Sequence, residues 1–141
     1  MFDEISKKIL IVEDDGSLRG ILKSALALNY NVADAEDGAQ ALERLNFFRP
    51  DLVLLDLLLP KIDGFEVLRS IRKSPDPQIA KLPVVVLSNM SDVENVMKAK
   101  KLKVEGYFIK SRVDLGEVKK KIADLLHMVQ KPEEEIMDFT K

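Results

Sequence analysis

Five short apolar runs alternate with longer amphipathic stretches along the chain, and this pattern predicts the fold. Most of the runs are rich in valine, isoleucine and leucine without alternating polar positions, as expected of strands covered on both faces. The predicted strands are residues 9–12, a weaker 31–33, 52–55, 84–87 and 107–109. Each run is followed by apolar residues at helical spacing. The chain is therefore predicted to form five consecutive strand–helix units.

Helix start signals support the boundaries of several of these helices. Three pairs resemble a capping box, in which two side chains satisfy free amides at a helix start. The pairs are Asp63-x-x-Glu66, Ser91-x-x-Glu94 and Asp114-x-x-Glu117. Asp15 is predicted to cap the first helix. The segment 74–83 contains three prolines and is predicted to be a loop, and Pro132 is predicted to stop the last helix.

The serial strand–helix units determine the architecture. They predict a doubly wound parallel sheet with helices on both faces and right-handed crossovers. In such a sheet the loops after the carboxyl ends of the strands converge where ligands bind. A chain of 141 residues without repeats suits a single domain. We expect that domain over residues 1–130, followed by a polar, flexible tail over residues 131–141.

Composition removes several classes of function. The 24 acidic and 22 basic residues nearly balance, so bulk charge provides no general attraction to nucleic acid or membrane. The absence of cysteine excludes a disulfide framework and thiolate chemistry. No apolar run approaches the ~20 residues of a membrane span, and the first residues lack a secretory signal. A cytoplasmic protein is expected.

Polar side chains follow four of the predicted strands. They are Glu13 and Asp14, Asp56, Ser88, and Lys110. Asp56 is the most informative, because LVLLDLLLP is otherwise apolar and a carboxylate there loses hydration unless a metal, a cation or chemistry compensates it. Three carboxylates in one place repel unless a cation is present. Hard oxygen ligands without histidine or cysteine suit Mg²⁺, so Glu13, Asp14 and Asp56 are predicted to hold it.

Two of these strand-end residues have simpler explanations as well. Lys110 could be a surface lysine whose aliphatic chain packs along the protein while its ammonium stays in water. Alternatively, it could pair with Asp56 or with an anion bound there. Ser88 could be an ordinary loop hydroxyl, or it could donate a hydrogen bond to a phosphoryl oxygen. The residues alone leave both alternatives open.

The segments ILIVEDD, LVLLDLLLPKIDG, VVVLSN and GYFIK, in this order and spacing, resemble the receiver domain of two-component response regulators. The resemblance covers roughly residues 7–130. It implies a (βα)5 flavodoxin-like three-layer sandwich with strand order 2-1-3-4-5. It also implies a phosphorelay function, with Asp56 as the phosphoacceptor that takes a phosphoryl group as a mixed anhydride.

The same resemblance implies roles for the other site residues. Glu13 and Asp14, with Asp56 and the main-chain carbonyl of Leu58, match the set that holds Mg²⁺. Lys110 matches the lysine that contacts the phosphoryl oxygens. The two remaining matches are switch residues: Ser88 is the hydroxyl that moves toward the phosphoryl group, and Tyr107 is the aromatic that changes rotamer with it.

Two positions depart from the family pattern. Ser111 follows the lysine where the family usually has proline, which places the geometry of the loop before the last helix in doubt. Asn89 follows Ser88 where a small residue is usual. From the sequence we hypothesise that the Asn89 amide partly covers the phosphoryl group and alters autodephosphorylation.

The resemblance also implies partners. The expected phosphodonor is a sensor histidine kinase or a phosphotransfer protein, and the expected output is a downstream protein bound through the predicted fourth helix, fifth strand and fifth helix. Basic residues are concentrated there, although a solvated lysine face is the simpler explanation. They are Lys98, Lys100, Lys101, Lys103 and Lys119 to Lys121. A homodimer is a further option, and no contact with nucleic acid or membrane is expected.

Three other functions fit the sequence less well. A degenerate receiver that binds partners without phosphorylation conflicts with the intact Asp56, Asp14 and Lys110. An aspartyl-phosphate phosphatase needs a second acid two residues beyond its nucleophile, where this chain has Leu58. A flavin-binding protein needs a phosphate loop after the first strand, which is missing. We expect a stand-alone receiver that catalyses only its own phosphorylation and dephosphorylation, rather than a piece of a longer regulator.

Overall fold

The computed structural model describes residues 6–127, and within them the chain forms five strands and six helices. The strands are β1 (Lys8–Val12), β2 (Asn31–Ala35), β3 (Leu52–Leu55), β4 (Val84–Ser88) and β5 (Gly106–Ile109). The helices are α1 (Gly16–Leu26), α2 (Gly38–Phe47), α3 (Gly64–Arg72), α4 (Pro77–Ala80), α5 (Val93–Lys101) and α6 (Leu115–His127). No helix in this range is both long and apolar enough to cross a membrane. Pro132 and the predicted tail lie outside the described residues.

The five strands form one parallel sheet in the order β2-β1-β3-β4-β5. The predicted flavodoxin-like fold class and strand order are confirmed. The strand boundaries differ from the prediction by at most two residues, the largest change being the extension of β2 to Ala35. Because all strands run the same way, their carboxyl ends share one edge of the sheet.

Successive residues of the central strands enter two separate cores, one on each face of the sheet. Leu10 and Val12 of β1 pack with residues of α2, α3 and α5, whereas Ile9 and Ile11 pack with residues of α1 and α6. All four side chains are buried. Full burial of such a side chain stabilises the fold by about 1.5–3 kcal/mol. The three-layer arrangement therefore follows from strands that are apolar on both faces.

The sequence predicts a loop for the proline-rich segment 74–83, but part of this segment is helical. Residues Pro77–Ala80 form the single-turn helix α4. Asp76 caps it by accepting a hydrogen bond from the Gln78 amide at 3.0 Å, and Pro77 occupies the first helical position, where proline is well tolerated. The predicted fourth and fifth helices are consequently α5 and α6.

The start of α5 also differs from the prediction. Asp92, not Ser91, is the cap, and it accepts from the Asn95 amide at 3.3 Å. Its carboxylate additionally accepts two hydrogen bonds from the Asn95 side chain, which gives aspartate an advantage over serine. Asp114 and Glu117 form the predicted capping box, with hydrogen bonds in both directions. Asp63 caps α3 by accepting from the Glu66 amide, but the Glu66 side chain accepts from Arg69 instead of completing the box.

Arg72 secures the edge of the sheet opposite the carboxyl ends. Its guanidinium donates to the carbonyl oxygens of Ala80 and Leu82 before β4, and to those of Leu102 and Lys103 before β5, over 2.8–3.0 Å. The planar fork of arginine supplies enough donors for all four bonds. One side chain thus fixes the entry to two adjacent strands.

Candidate functional site

The carboxyl ends of β1 and β3 bring three acidic residues together. One carboxylate oxygen from each of Glu13, Asp14 and Asp56 lies within 4.8 Å of the others. Glu13 is 2% exposed and Asp56 is 3% exposed, whereas Asp14 is open to solvent. The carboxylate of Asp15, directly after them, caps α1 through the amides of Ser17 and Leu18, while the Asp15 amide donates to Glu13 Oε2 at 3.1 Å. The predicted acidic set is therefore assembled.

Lys110, after β5, reaches across the sheet into this cluster. Its ammonium donates to Asp56 Oδ2 at 2.7 Å and lies 2.9 and 3.1 Å from the two oxygens of Glu13. Of the alternatives that the sequence left open for this lysine, pairing with Asp56 is confirmed. Charged hydrogen bonds of this kind are stronger than neutral ones.

Two ionisable groups of the site, Glu13 and Lys110, have shifted pKa values. Desolvation raises the pKa of Glu13, helped by the negative charge of Asp56 and opposed by hydrogen bonds from Lys110 and the Asp15 amide. Burial acts to lower the pKa of Lys110, but its bonds to Asp56 and Glu13 outweigh burial and raise it. Lys110 is consequently held as a cation that neutralises one of the two buried carboxylates.

The charges that remain fit a divalent cation. Three carboxylates and one ammonium leave a net charge of two negatives when all are ionised, and carboxylate oxygens are hard ligands that suit Mg²⁺. Asp14 is exposed, so a hydrated ion could reach the cluster from solvent while keeping several of its waters. The residues present therefore fit the predicted metal, with Glu13, Asp14 and Asp56 as the side chains that would hold it.

The loop after β3 is folded tightly around Asp56. Asp56 Oδ1 accepts from the amide of Leu58 at 3.1 Å, and the Gly64 amide donates to Leu57 O at 3.0 Å. A Cβ on Gly64 would lie 2.4 Å from the carbonyl oxygen of Asp56, so only glycine permits this approach. The metal contact expected of the Leu58 carbonyl stays a prediction.

Ser88 and Tyr107 meet at a third residue, Met90. Ser88 is fully buried, and its Oγ accepts from the Met90 amide at 3.3 Å. The Tyr107 hydroxyl donates to the Met90 carbonyl at 2.6 Å. Burial raises the pKa of Tyr107, and the charges of Asp92 and Asp56 act in the same direction, so the phenol keeps its proton. Both predicted switch residues thus bind the backbone of Met90, which lies in the loop between β4 and α5.

Comparison with known proteins identifies the family. The family model described as "Response regulator receiver domain" matches residues 9–123. This chain belongs to that family. A "probable transcriptional regulator ycf27" of Porphyridium aerugineum is 34% identical over 126 residues, which are 89% of this chain and 50% of that protein. The chain thus spans about half the length of this curated relative, or less for others.

Solved structures agree with this assignment. The phosphorylated cyanobacterial phytochrome response regulator RcpA is 36% identical with a TM-score of 0.75, over 86% of this chain and 94% of that one. A CheY-like receiver domain protein from Methanospirillum hungatei has a TM-score of 0.80 over 90% of this chain and 98% of that one. Its 24% identity supports the fold alone. The chain therefore covers nearly the whole of these two solved proteins.

The receiver contains functional contacts that the sequence did not indicate. Arg19, in the first turn of α1, donates to the Glu13 carbonyl at 2.9 Å and to Asp34 at 3.1 Å. It thereby fixes the backbone that carries the first two acids. A basic residue is unfavourable near a helix amino terminus, and this conflict was the available signal that Arg19 has specific partners. No sequence signal pointed to the backbone of Met90.

The two positions that depart from the family pattern contact each other in this receiver. Asn89 Oδ1 accepts a hydrogen bond from the Ser111 amide at 3.0 Å. Both residues are exposed. No peptide bond among the described residues is cis. The Asn89 carbonyl group is thus directed to the loop after β5, and the hypothesis that its amide covers the phosphoryl group stays a prediction.

Proposed function

We propose that this receiver takes a phosphoryl group on Asp56 and transmits its phosphorylation state to a protein partner. The observation that carries the proposal is the surroundings of Asp56. A buried carboxylate at the end of the central strand bonds an ammonium at 2.7 Å and lies beside two further acids that suit Mg²⁺. Structural burial alone does not explain three acids in one place.

The chemistry follows from this arrangement. A carboxylate oxygen of Asp56 attacks phosphorus, the new oxygen–phosphorus bond forms, and the bond to the donor breaks with its electrons leaving on the donor. A metal ion held by Glu13, Asp14 and Asp56 would supply positive charge to the transferring oxygens. Lys110 adds a second positive charge that is already positioned. Hydrolysis of the acyl phosphate by water returns the carboxylate and releases inorganic phosphate.

The response to phosphorylation starts from the contacts of Met90. A phosphoryl group on Asp56 offers new acceptor oxygens near Lys110 and the end of β4. Ser88 Oγ accepts from the Met90 amide, so its own hydroxyl proton stays available to be donated to such an oxygen, and a movement of Ser88 pulls on Met90. Because Tyr107 also holds Met90, a shift of this loop changes the environment of the tyrosine. We propose this pair as the readout.

Intact-mass measurement after incubation with acetyl phosphate and Mg²⁺ tests the phosphoacceptor. The wild type should gain one acid-stable, base-labile phosphoryl group, and Asp56→Asn should gain none. The matched control is Asp124→Asn, which removes a surface carboxylate on α6 and should label like the wild type. Labelling of Asp56→Asn would refute the assignment. Turnover of a phosphomonoester by the wild type would instead favour a phosphatase.

We further propose that the partner is bound on the face of α5, β5 and α6, with a histidine kinase or phosphotransfer protein as the phosphodonor. In α5 the apolar residues Val93 and Met97 are 77% and 50% exposed, and this helix also carries lysines of the same face. Sedimentation of the phosphorylated and unphosphorylated protein would show whether the partner is a second copy. Substitution of Met97 by glutamate should weaken partner or dimer binding without changing phosphorylation. The cytoplasmic location stays a prediction.

A further inference from the structure

The hydrogen bond between Asn89 and Ser111 lies next to both groups expected to contact the phosphoryl group. Asn89 follows Ser88 directly, and Ser111 follows Lys110 directly. The backbone ladder between β4 and β5 ends with the Lys110 amide donating to Ser88 O at 3.0 Å. The bond from the Ser111 amide to Asn89 Oδ1, also 3.0 Å, then continues the ladder by one side-chain rung.

The rung depends on the chemistry of both residues. A proline at position 111 would have no N–H to donate, and an alanine or glycine at position 89 would have no side-chain oxygen to accept. The two departures from the family pattern are therefore the donor and the acceptor of a single bond. That reciprocity distinguishes this contact from a chance approach of two surface loops.

We infer that Asn89 is a positioning residue, whose side chain ties the Lys110–Ser111 backbone to the loop that carries Ser88. The inference rests on the proposed phosphorylation of Asp56. The bond adds to the one between the Lys110 amide and Ser88 O, so that Ser88 and Lys110 reach the phosphoryl group as one unit. Asn89 acts through Ser111 and Lys110, and it need not touch the phosphoryl group itself.

A double-mutant cycle on the phosphorylation rate tests this inference. The variants are Asn89→Ala, Ser111→Pro and the double variant, each phosphorylated with acetyl phosphate and Mg²⁺ and followed by intact mass. Because the bond is exposed and solvent competes for it, loss of either partner should slow phosphorylation by about threefold. The double variant should be no slower than either single variant, since both remove the same bond.

Two matched controls separate the rung from other effects. Ser111→Ala keeps the backbone N–H and should behave like the wild type. Asn46→Ala removes an exposed asparagine of α2 whose side chain donates to the carbonyl of Leu42 within its own helix, and it should also leave the rate unchanged. Urea unfolding of every variant shows whether a slower rate merely reflects lost stability.

The outcomes distinguish the possible failures. If Asn89→Ala slows phosphorylation equally in the wild-type and Ser111→Pro backgrounds, Asn89 acts directly at the phosphoryl group and the inference is wrong. Equal rates for all variants also overturn it, while the phosphoacceptor assignment survives. A wild type that takes no phosphoryl group overturns both proposals.

A second measurement covers the case in which Ser111→Pro does not fold. In the amide spectrum of uniformly ¹⁵N-labelled protein, the Ser111 proton of the wild type should move upfield in Asn89→Ala and stay in place in Asn46→Ala. Phosphorylation should shift the Ser111 amide in the wild type and shift it less in Asn89→Ala. An Asn89→Ala substitution that leaves this amide unmoved refutes the bond.

Discussion

Substitution of Asp14 by asparagine should stabilise the metal-free protein while it removes the metal site. The change keeps the shape of the side chain and deletes one negative charge. Asp14 is exposed, and one of its carboxylate oxygens lies within 4.8 Å of an oxygen of Glu13 and of Asp56. In the absence of a metal, the wild-type protein therefore maintains a repulsion that the variant lacks.

The size of the effect follows from the geometry. Glu13 and Asp56 each place a negative charge within 4.8 Å of Asp14, and Lys110 neutralises one of the two. One unit of uncompensated charge at this distance costs about 1 kcal/mol at the high effective dielectric of an exposed site. We expect Asp14→Asn to raise the free energy of unfolding by that amount, which corresponds to a shift of about 0.5 M in the urea midpoint.

Urea unfolding at neutral pH, with EDTA and then with Mg²⁺, measures both parts of the prediction. At Mg²⁺ tenfold above its dissociation constant, the wild type should gain about 1.4 kcal/mol and Asp14→Asn well under half of that. Asp124→Asn is the control: it loses an exposed pair with Lys120, and its free energy of unfolding should change by less than about 0.5 kcal/mol. The reasoning is refuted if Asp14→Asn is less stable than the wild type in EDTA, or if Mg²⁺ stabilises it fully.

Three further predictions use the same unfolding assay. Gly38→Ala should lower the free energy of unfolding by about 2–4 kcal/mol, because its Cβ would lie 1.8 Å from Ile62 O. Gly20→Ala should raise the free energy of unfolding by up to about 1 kcal/mol, because Gly20 is helical and the space beside it is open. Lys110→Met should cost about 3 kcal/mol in EDTA by leaving two buried carboxylates without their cation, and Mg²⁺ should recover part of this loss. Burial raises the pKa of Glu13 above its usual 4.5, so its contribution to metal-free stability is present at low pH and is lost as pH rises through the raised value. Glu13→Gln should therefore flatten that part of the pH curve, and an unchanged curve would contradict the assigned shift.

The architecture was predictable from the sequence because burial imposes it residue by residue. Strands covered on both faces must be apolar throughout, and each helix must present one apolar stripe. The site was predictable for a related reason: in a parallel sheet, polar groups that follow separate strands must meet at one edge. Glu13, Asp56 and Lys110 are nearly a hundred residues apart at the extremes, yet topology alone brings them together.

The remaining features depend on choices that no pattern encodes. Ser91 and Asp92 are both good caps, and the structure prefers the residue whose carboxylate can also hold Asn95. Val93, Val96 and Met97 lie at helical spacing, which predicts a buried apolar face for α5, but Val93 and Met97 are exposed and the buried residue of this helix is Ala99. The bonds of Met90 are made by its backbone, and every residue type has the same backbone groups.

The bonds of Arg72 determine which motions can carry a signal out of this domain. The guanidinium fastens the segments that enter β4 and β5, so neither strand can slide along its neighbour without breaking several charged hydrogen bonds. A disturbance at Asp56 therefore cannot travel as a rigid displacement of the sheet. We expect it instead to bend the loops beyond Ser88 and Lys110, and we expect a partner to detect it on the surface beside those loops. Arg72, at the opposite edge of the sheet, thus directs the proposed output towards that surface.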